Sequence, residues 1–377
     1  MSVYVWPALL FAWLFFMGAS IGSFLNVCIA RLSTGRTPCW PGSHCFSCFQ
    51  AIAMRDNIPL ISYWLLGGRC RRCAAPFSMR YFWIEFLTGC LFACYYFLEI
   101  GFNVHGYQIF GSWGLWFLQA ALFPPWSWPV FIIHALMLAF MLTAAMIQWE
   151  KGRLELSVVR RGCAVGLICS VLFPWPFPYD WHLAVSPERQ PAPTAAQTAD
   201  ASWRLLTPNP GPMPADSPWW SSFYSPRLGF TLWPVCGPLP AWFSGPLLGL
   251  ATGLAGCALG MILRWICRGG LAEQAADATQ RNRFDDGGVL AIAGSFLGWQ
   301  PILAGAALAF VAALSWRFAA QRRSLPFSLL AGIAVVTCWL LWAWLAPLLA
   351  PICFNLERSS IAFAVVAVLA FCLRKLG

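Results

Sequence analysis

Two cysteine pairs, Cys45/Cys48 in "HCFSCF" and Cys70/Cys73 in "RCRRC", carry the most specific chemical signal in this chain. Cys-x2-Cys pairs separated by about twenty residues match the spacing of a four-thiolate zinc site. Each pair can sit on a tight turn that aims both sulfurs inward, and two such turns close a tetrahedron. Arg69, Arg71 and Arg72 flank the second pair and are expected to favour thiolate over thiol. A segment this small buries little apolar area, so a metal supplies folding energy that a core cannot. Fourfold thiolate ligation leaves no open position, which points to a structural Zn2+ rather than a catalytic one. Two disulfides are the alternative, disfavoured in a reducing compartment. Cys39 and His44 lie nearby but outside the paired spacing and are expected to be spectators.

The rest of the chain must hold this knot at a membrane. Of its 377 residues 59% are hydrophobic and only 10% charged, whereas a soluble domain carries about a quarter charged residues. Apolar runs of membrane-crossing length fall at 4–30, 81–101, 128–147, 158–175, 239–263, 288–316, 325–350 and 359–374. A further stretch, 108–124, is broken by "FPPW" and is expected in the interface. Backbone polar groups in hydrocarbon are satisfied only by helices or closed barrels, and these runs are too long for barrel strands. The expected fold is all-α: a polytopic membrane helical bundle of about eight transmembrane segments with a small cytoplasmic zinc-binding loop. The first run is too long for a signal-peptide core and reads as a retained helix.

Basic residues set the orientation. Arg31, Arg36, Arg55, Arg69, Arg71, Arg72 and Arg80 crowd the first loop, which belongs in the cytoplasm. Lys151, Arg160 and Arg161, then Arg264 and Arg268, then Arg317, Arg322 and Arg323 mark further cytoplasmic loops. The net charge of +10 is thereby explained by topology, and nucleic-acid binding is excluded as its cause. The interruption "GWQP" at Gly298–Pro301 offers a turn for a shallow hairpin within 288–316. The chain thus divides into a first transmembrane helix (1–30), a cytoplasmic four-cysteine zinc-binding loop (31–80), transmembrane helices (81–173), a proline-rich periplasmic loop or insertion (174–240) and a second transmembrane half (241–377). Most remaining cysteines are lone residues in apolar runs and read as packing, although a disulfide between Cys236 and Cys353 stays open. No internal repeat is legible.

Four motifs in order carry a family resemblance. "GSFLNVCIARL" (Gly22–Leu32), the two cysteine pairs, "RDNIPLISYWLLGGRC" (Arg55–Cys70) and "APFSMRYFWIEFLTG" (Ala75–Gly89) resemble the amino-terminal region of prepilin peptidases. "GSFLGWQP" (Gly294–Pro301) and "RRSLPFSLLAGIA" (Arg322–Ala334) resemble that family's carboxyl-terminal membrane half. The resemblance implies a multi-pass aspartic peptidase of the bacterial inner (plasma) membrane. Such an enzyme removes the leader from type IV prepilin or type II secretion pseudopilin precursors and methylates the new amino terminus with S-adenosylmethionine. It makes 241–377 a peptidase-like half, and it places Glu85 in an "Arg-Tyr…Glu" motif, where pairing with Arg80 at the membrane boundary is expected.

The same resemblance locates a catalytic pair of aspartates. One ionised carboxylate activates a water while a protonated partner polarises the carbonyl, their repulsion separating the two roles. Register with the family places the second aspartate at Asp286, with Asp285 beside it, although the flanking glycines of the family motif are replaced. The first aspartate position carries Gln148, which can hold a water but cannot take its proton. Glu150 is the nearest acid, but two helical residues turn a side chain about 200°, so it faces away unless the helix ends first. Glu155 falls near a downstream family aspartate. Two readings follow: an active peptidase with Glu150 or Glu155 opposite Asp286, or a homologue impaired in cleavage that binds prepilin-like helices or keeps only methyl transfer. A transporter is disfavoured because the helix centres are almost free of charge.

Overall fold

The computed structural model describes residues 5–40, 42–105, 127–151, 154–172, 241–268, 287–319, 325–342, 345, 349 and 356–376. The expectations for Asp285, Asp286, Cys236, Cys353, the 108–124 stretch and the proline-rich loop lie outside these residues. The helices are α1 (Val5–Leu32), α2 (Ile61–Leu65), α3 (Arg80–Tyr96), α4 (Ser127–Lys151), α5 (Leu156–Leu172), α6 (Ala241–Arg268), α7 (Gly288–Leu297), α8 (Trp299–Ala319), α9 (Phe327–Leu340) and α10 (Leu356–Leu376). Among the described residues the only extended pairing is two isolated bridges, His44 with Ala51 and Arg69 with Pro76. The all-α membrane bundle is as the sequence implies. Five described helices are long and apolar enough to cross a membrane, and Gly288–Leu297 and Phe327–Leu340 are shorter apolar helices.

The chain folds as two compact units, one running to Gly101 and the other containing α4 to α10. In the first, α1 and α3 pack at close range because small residues remove the side chains that would separate them. A Cβ on Gly18 would meet Thr88 O at 2.8 Å, and one on Gly22 would meet Glu85 Cα at 2.8 Å. From the other side, a Cβ on Gly89 would meet Phe15 O at 2.8 Å. Asn26 Nδ2 adds a polar tie, donating to Tyr81 O at 3.1 Å. The outward faces carry Trp13, Phe16, Phe24, Trp83, Phe86 and Leu87, all exposed. An apolar surface of this kind suits hydrocarbon rather than water.

In the second unit the short helix α7 is the core: all ten of its residues are buried. It is ringed by glycines. Gly162 and Gly166 of α5 abut Ile292, Ser295 and Phe296, while Gly256 and Gly260 of α6 abut the backbone at Gly294 and Ala291. The expected interruption is present, since α7 ends at Leu297 and is capped by Gly298, whose φ of 77° suits a residue without Cβ. The second arm, α8, is full-length at 21 residues rather than the half of a shallow hairpin. Phe310 and Phe327 stack at 4.7 Å to fasten α8 to α9.

Two glycine substitutions separate close approach from composition. Gly260→Ala places a methyl against the Ala291 backbone and should lower stability by about 2 kcal/mol or more. Gly332→Ala meets only Met141 Cε at 3.9 Å, so its thermal unfolding in detergent, followed by helical circular dichroism, should be unchanged or slightly raised.

Candidate metal centre and the cavity beside it

The metal module lies between α1 and α3 and is built twice from one backbone pattern. In the first half Cys45 N–H donates to Gln50 O, Phe49 N–H to Cys45 O, and Ile52 N–H to Ser43 O. In the second half Cys70 N–H donates to Ala75 O, Ala74 N–H to Cys70 O, and Phe77 N–H to Gly68 O. Phe49 and Ala74, equivalent in the two halves, both take positive φ, 55° and 56°. The repeat is invisible in the side chains, which is why a search of the sequence for repeats misses it. Two side-chain ties hold the module's links. Arg31, buried, donates to Pro38 O and Gly42 O, both at 3.0 Å. Arg71 grips Asp56 through two nitrogens, the shortest contact being 2.7 Å.

The two halves bring Cys45, Cys48, Cys70 and Cys73 together, with all four sulfurs within 4.8 Å of one another. All four are free cysteines. Cys45 Sγ and Cys73 Sγ, from opposite halves, are 3.7 Å apart. A tetrahedral ion with metal–sulfur bonds of about 2.3 Å requires sulfur–sulfur edges of about 3.8 Å, so the donor set fits such an ion. Cys39 and His44 stand outside the cluster, as expected, and His44 Nδ1 instead meets Gly42 O at 2.9 Å.

Thiolate formation is driven by backbone amides rather than by the arginines that the sequence suggested. The N–H groups of Cys48 and Ser47, aimed at the Cys45 sulfur, lower its pKa to about 6. Cys70 is lowered in the same way by the N–H groups of Cys73 and Arg72. Arg71 is occupied instead with Asp56, whose carboxyl it holds below the usual range. For Cys73 the Ala75 N–H favours thiolate, but desolvation and the sulfurs of Cys48, Cys70 and Cys45 outweigh it and push the pKa up to about 11. One fold thus makes the first thiolates easily and the last with difficulty, which is the arrangement a cation resolves.

A cavity of about 390 Å³ opens beside the module, bounded by α1, α3 and the segment between the cysteine pairs. Its walls include Ser23, Asn57, Tyr63, Phe82 and Glu85, with the Asp56–Arg71 pair at one side. Glu85 corrects an expectation. Its Oε2 accepts the Leu60 N–H at 2.7 Å, and the Ser23 hydroxyl is a further donor, while the Arg80 guanidinium lies over the Tyr81 ring at 4.9 Å. Leu60 reaches it from a γ-turn, with φ 66°, ψ −42° and Ile61 N–H donating to Pro59 O at 2.7 Å. That conformation is rare and strained for a residue with a Cβ. Sequence reasoning missed the roles of Ser23, Arg31 and Leu60; the only cue was "NIPL", whose proline announces a turn.

In the second unit Gln148 is fully buried on α4. Its Oε1 accepts the Ser328 N–H at the start of α9, at 3.0 Å, and its Nε2 has no hydrogen-bond partner among the described residues. Helix α4 continues to Lys151, so Glu150 turns to the exposed face.

The family model described as "Bacterial Peptidase A24 N-terminal domain" matches residues 16–98. The chain is similar to the prepilin leader peptidase/N-methyltransferase of Myxococcus xanthus (strain DK1622), 48% identical over 82 residues, which is 22% of this chain and 24% of that protein. The enzyme of the same name from Klebsiella pneumoniae is 44% identical over 93 residues, 23% of this chain and 41% of that protein. The "Type 4 prepilin-like proteins leader peptide-processing enzyme" of Escherichia coli O78:H11 is 43% identical over 93 residues, 20% of this chain and 35% of that protein. The matched region spans less than half the length of each of these relatives. No solved structure matches the chain.

Metal retention should follow the thiol pKa values. The lowered Cys45 favours the folded module above the free-thiol value of 9.0, and that contribution fades as pH falls through about 6. The raised Cys73 favours it below 9.0 and stops doing so as pH rises through about 11. A bound divalent ion holds all four as thiolates, so protons compete with it at low pH. Metal analysis after dialysis should find the ion kept at about pH 7.5 and released progressively below about pH 6. Retention unchanged well below that point would contradict the site.

Residues 16–98, which hold the four convergent sulfurs, are thus similar to the amino-terminal domain of bacterial A24 peptidases and to that of prepilin leader peptidases, the resemblance its motifs carry.

Proposed function

We propose that this protein is a prepilin leader peptidase/N-methyltransferase homologue that recognises type IV pilin-like or type II secretion pseudopilin precursors and retains methyl transfer while cleavage is impaired. It sits in the bacterial inner membrane with residues 31–80 as a cytoplasmic metal module, 241–377 as the peptidase-like half and 174–240 as a periplasmic insertion. The observation that carries this reading is the intact amino-terminal region, in which the family match coincides with the four-sulfur cluster and the cavity beside it.

The metal is Zn2+ in a structural role, held by Cys45, Cys48, Cys70 and Cys73. The cavity is of small-molecule size. Asp56 and Asn57 offer hydrogen-bonding groups and Tyr63 and Phe82 offer ring faces, partners that suit a nucleoside such as S-adenosylmethionine. When bound, that donor supplies an electrophilic methyl group. The chain's own residues exclude bulk water, hold the acceptor and dispose of its proton.

Cleavage needs two carboxylates, and Gln148 stands where the first belongs. Its carboxamide neither takes a proton from water nor gives one to a leaving amine. Glu150 lies on the far face of a helix that does not end early, which argues against it as a substitute. Asp286, with Asp285 beside it, remains as the second acid. Loss of one member of such a pair costs about 6 kcal/mol of barrier or more, by analogy with other single catalytic knockouts.

Gln148→Asp should restore what is missing, because the Ser328 N–H that now serves Oε1 would stabilise a carboxylate at the helix start. In membranes supplied with the host's own prepilins, the wild type should give little shortened product and Gln148→Asp a clear gain. Efficient cleavage by the wild type would contradict the proposal, and its abolition by Asp286→Asn would then assign the activity to a displaced acid such as Glu150 or Glu155. The wild type should still methylate a pre-cut peptide; co-purification without methylation would favour a silent, precursor-binding homologue.

A further inference from the structure

Within residues 16–98, Glu85 is the acid that the metal module does not use. It is 8% exposed, yet it lines the cavity. Its partners are the Leu60 N–H and the Ser23 hydroxyl, two neutral donors. Asp56, the other acid of that wall, has its cation in Arg71. Among the described residues no cation pairs with Glu85, and a buried carboxylate so placed is costly, while the Leu60 whose N–H it accepts carries a strained backbone. The close approach of α1 and α3 at Gly22 positions Glu85 from behind, because a side chain there would meet its Cα.

A metal ion does not suit the position, since hard cations take six or more oxygen ligands, whereas Glu85 itself meets two neutral donors and the other charged groups of the cavity wall are Asp56 and the arginines Arg31, Arg55, Arg71 and Arg72. The cavity is also much larger than an ion, and Tyr63, Phe77 and Phe82 give it apolar walls. A cation carried on an organic chain fits both features.

We propose that Glu85 receives the primary ammonium group of the methyl acceptor, the free α-amino end of a peptide, in the cavity beside the metal module. The inference rests on the methyl-transfer reading. The ammonium nitrogen gives one proton to the Glu85 carboxylate and so frees its lone pair. The nitrogen then forms a bond to the methyl carbon of the sulfonium donor as the carbon–sulfur bond breaks. That electron pair remains on sulfur as a neutral thioether, and the product is a secondary ammonium. The Leu60 N–H and the Ser23 hydroxyl keep the carboxylate aimed through the exchange.

The test uses the full-length protein in detergent with two synthetic peptides bearing the mature amino terminus of the host's prepilin, one with a free amine and one N-acetylated. Calorimetry on the wild type should show the free amine binding about ten- to a hundredfold more tightly. In Glu85→Gln the preference should collapse to near parity while metal content and thermal unfolding stay unchanged, and Glu85→Asp should recover part of it. Methyl transfer to the free-amine peptide should fall by about a hundredfold in Glu85→Gln. A preference that survives Glu85→Gln, or a wild type that shows none, overturns the proposal. A wild type that prefers the amine through Glu85 but transfers no methyl group supports the amine site and rejects the methyl-transfer reading.

Discussion

Four sulfurs held within 4.8 Å of one another are the constraint on which the amino-terminal unit depends. The first thiolate comes easily, because backbone amides lower Cys45 to about 6, and the last is resisted by its neighbours, which help push Cys73 to about 11. A divalent ion held there would turn that mutual repulsion into the main cohesive force of a segment with few apolar groups to bury. Trp40, Phe46, Phe49 and Met54 are all exposed, so no apolar core of the module's own competes with this role.

The module in turn needs a rigid base, and the glycines of α1 and α3 supply it. Because Gly18, Gly22 and Gly89 let the two backbones approach, Ser23 and Glu85 face the same cavity from adjacent helices. Arg31 then fixes the chain leaving α1 by binding two loop carbonyls. The second unit repeats the principle on a larger scale: α7 is buried on all sides because α5 and α6 present glycines to it. Gln148 is placed by the same kind of contact, its carbonyl fixed at the start of α9. In both units the polar groups of interest are positioned by close helix packing.

Much of this was legible in the residues. The membrane class followed from apolar runs, and the convergence of Cys45, Cys48, Cys70 and Cys73 from their spacing, because ligand spacing is a local property. The break at Gly298 followed from its turn residues. What stayed hidden depends on contacts between distant residues. Arg31, Arg264 and Arg317 looked like topological charges, yet each donates to a backbone carbonyl, those of Pro38 and Gly42, Leu154 and Leu373. Glu85 looked like the partner of Arg80 five residues away, but its partner is the amide of Leu60, aimed by a strained turn that no side-chain pattern announces. The twofold backbone repeat of the metal module was hidden because "HCFSCF" and "RCRRC" share only their cysteines.

The central claim is four-sulfur ligation of a single ion, and X-ray absorption at the zinc edge of the purified, reduced protein tests it most directly. The account predicts one zinc per chain with four sulfur scatterers at about 2.3 Å and no nitrogen or oxygen neighbour. A protein that contains no metal, or whose zinc shows mixed nitrogen or oxygen ligation, would contradict it.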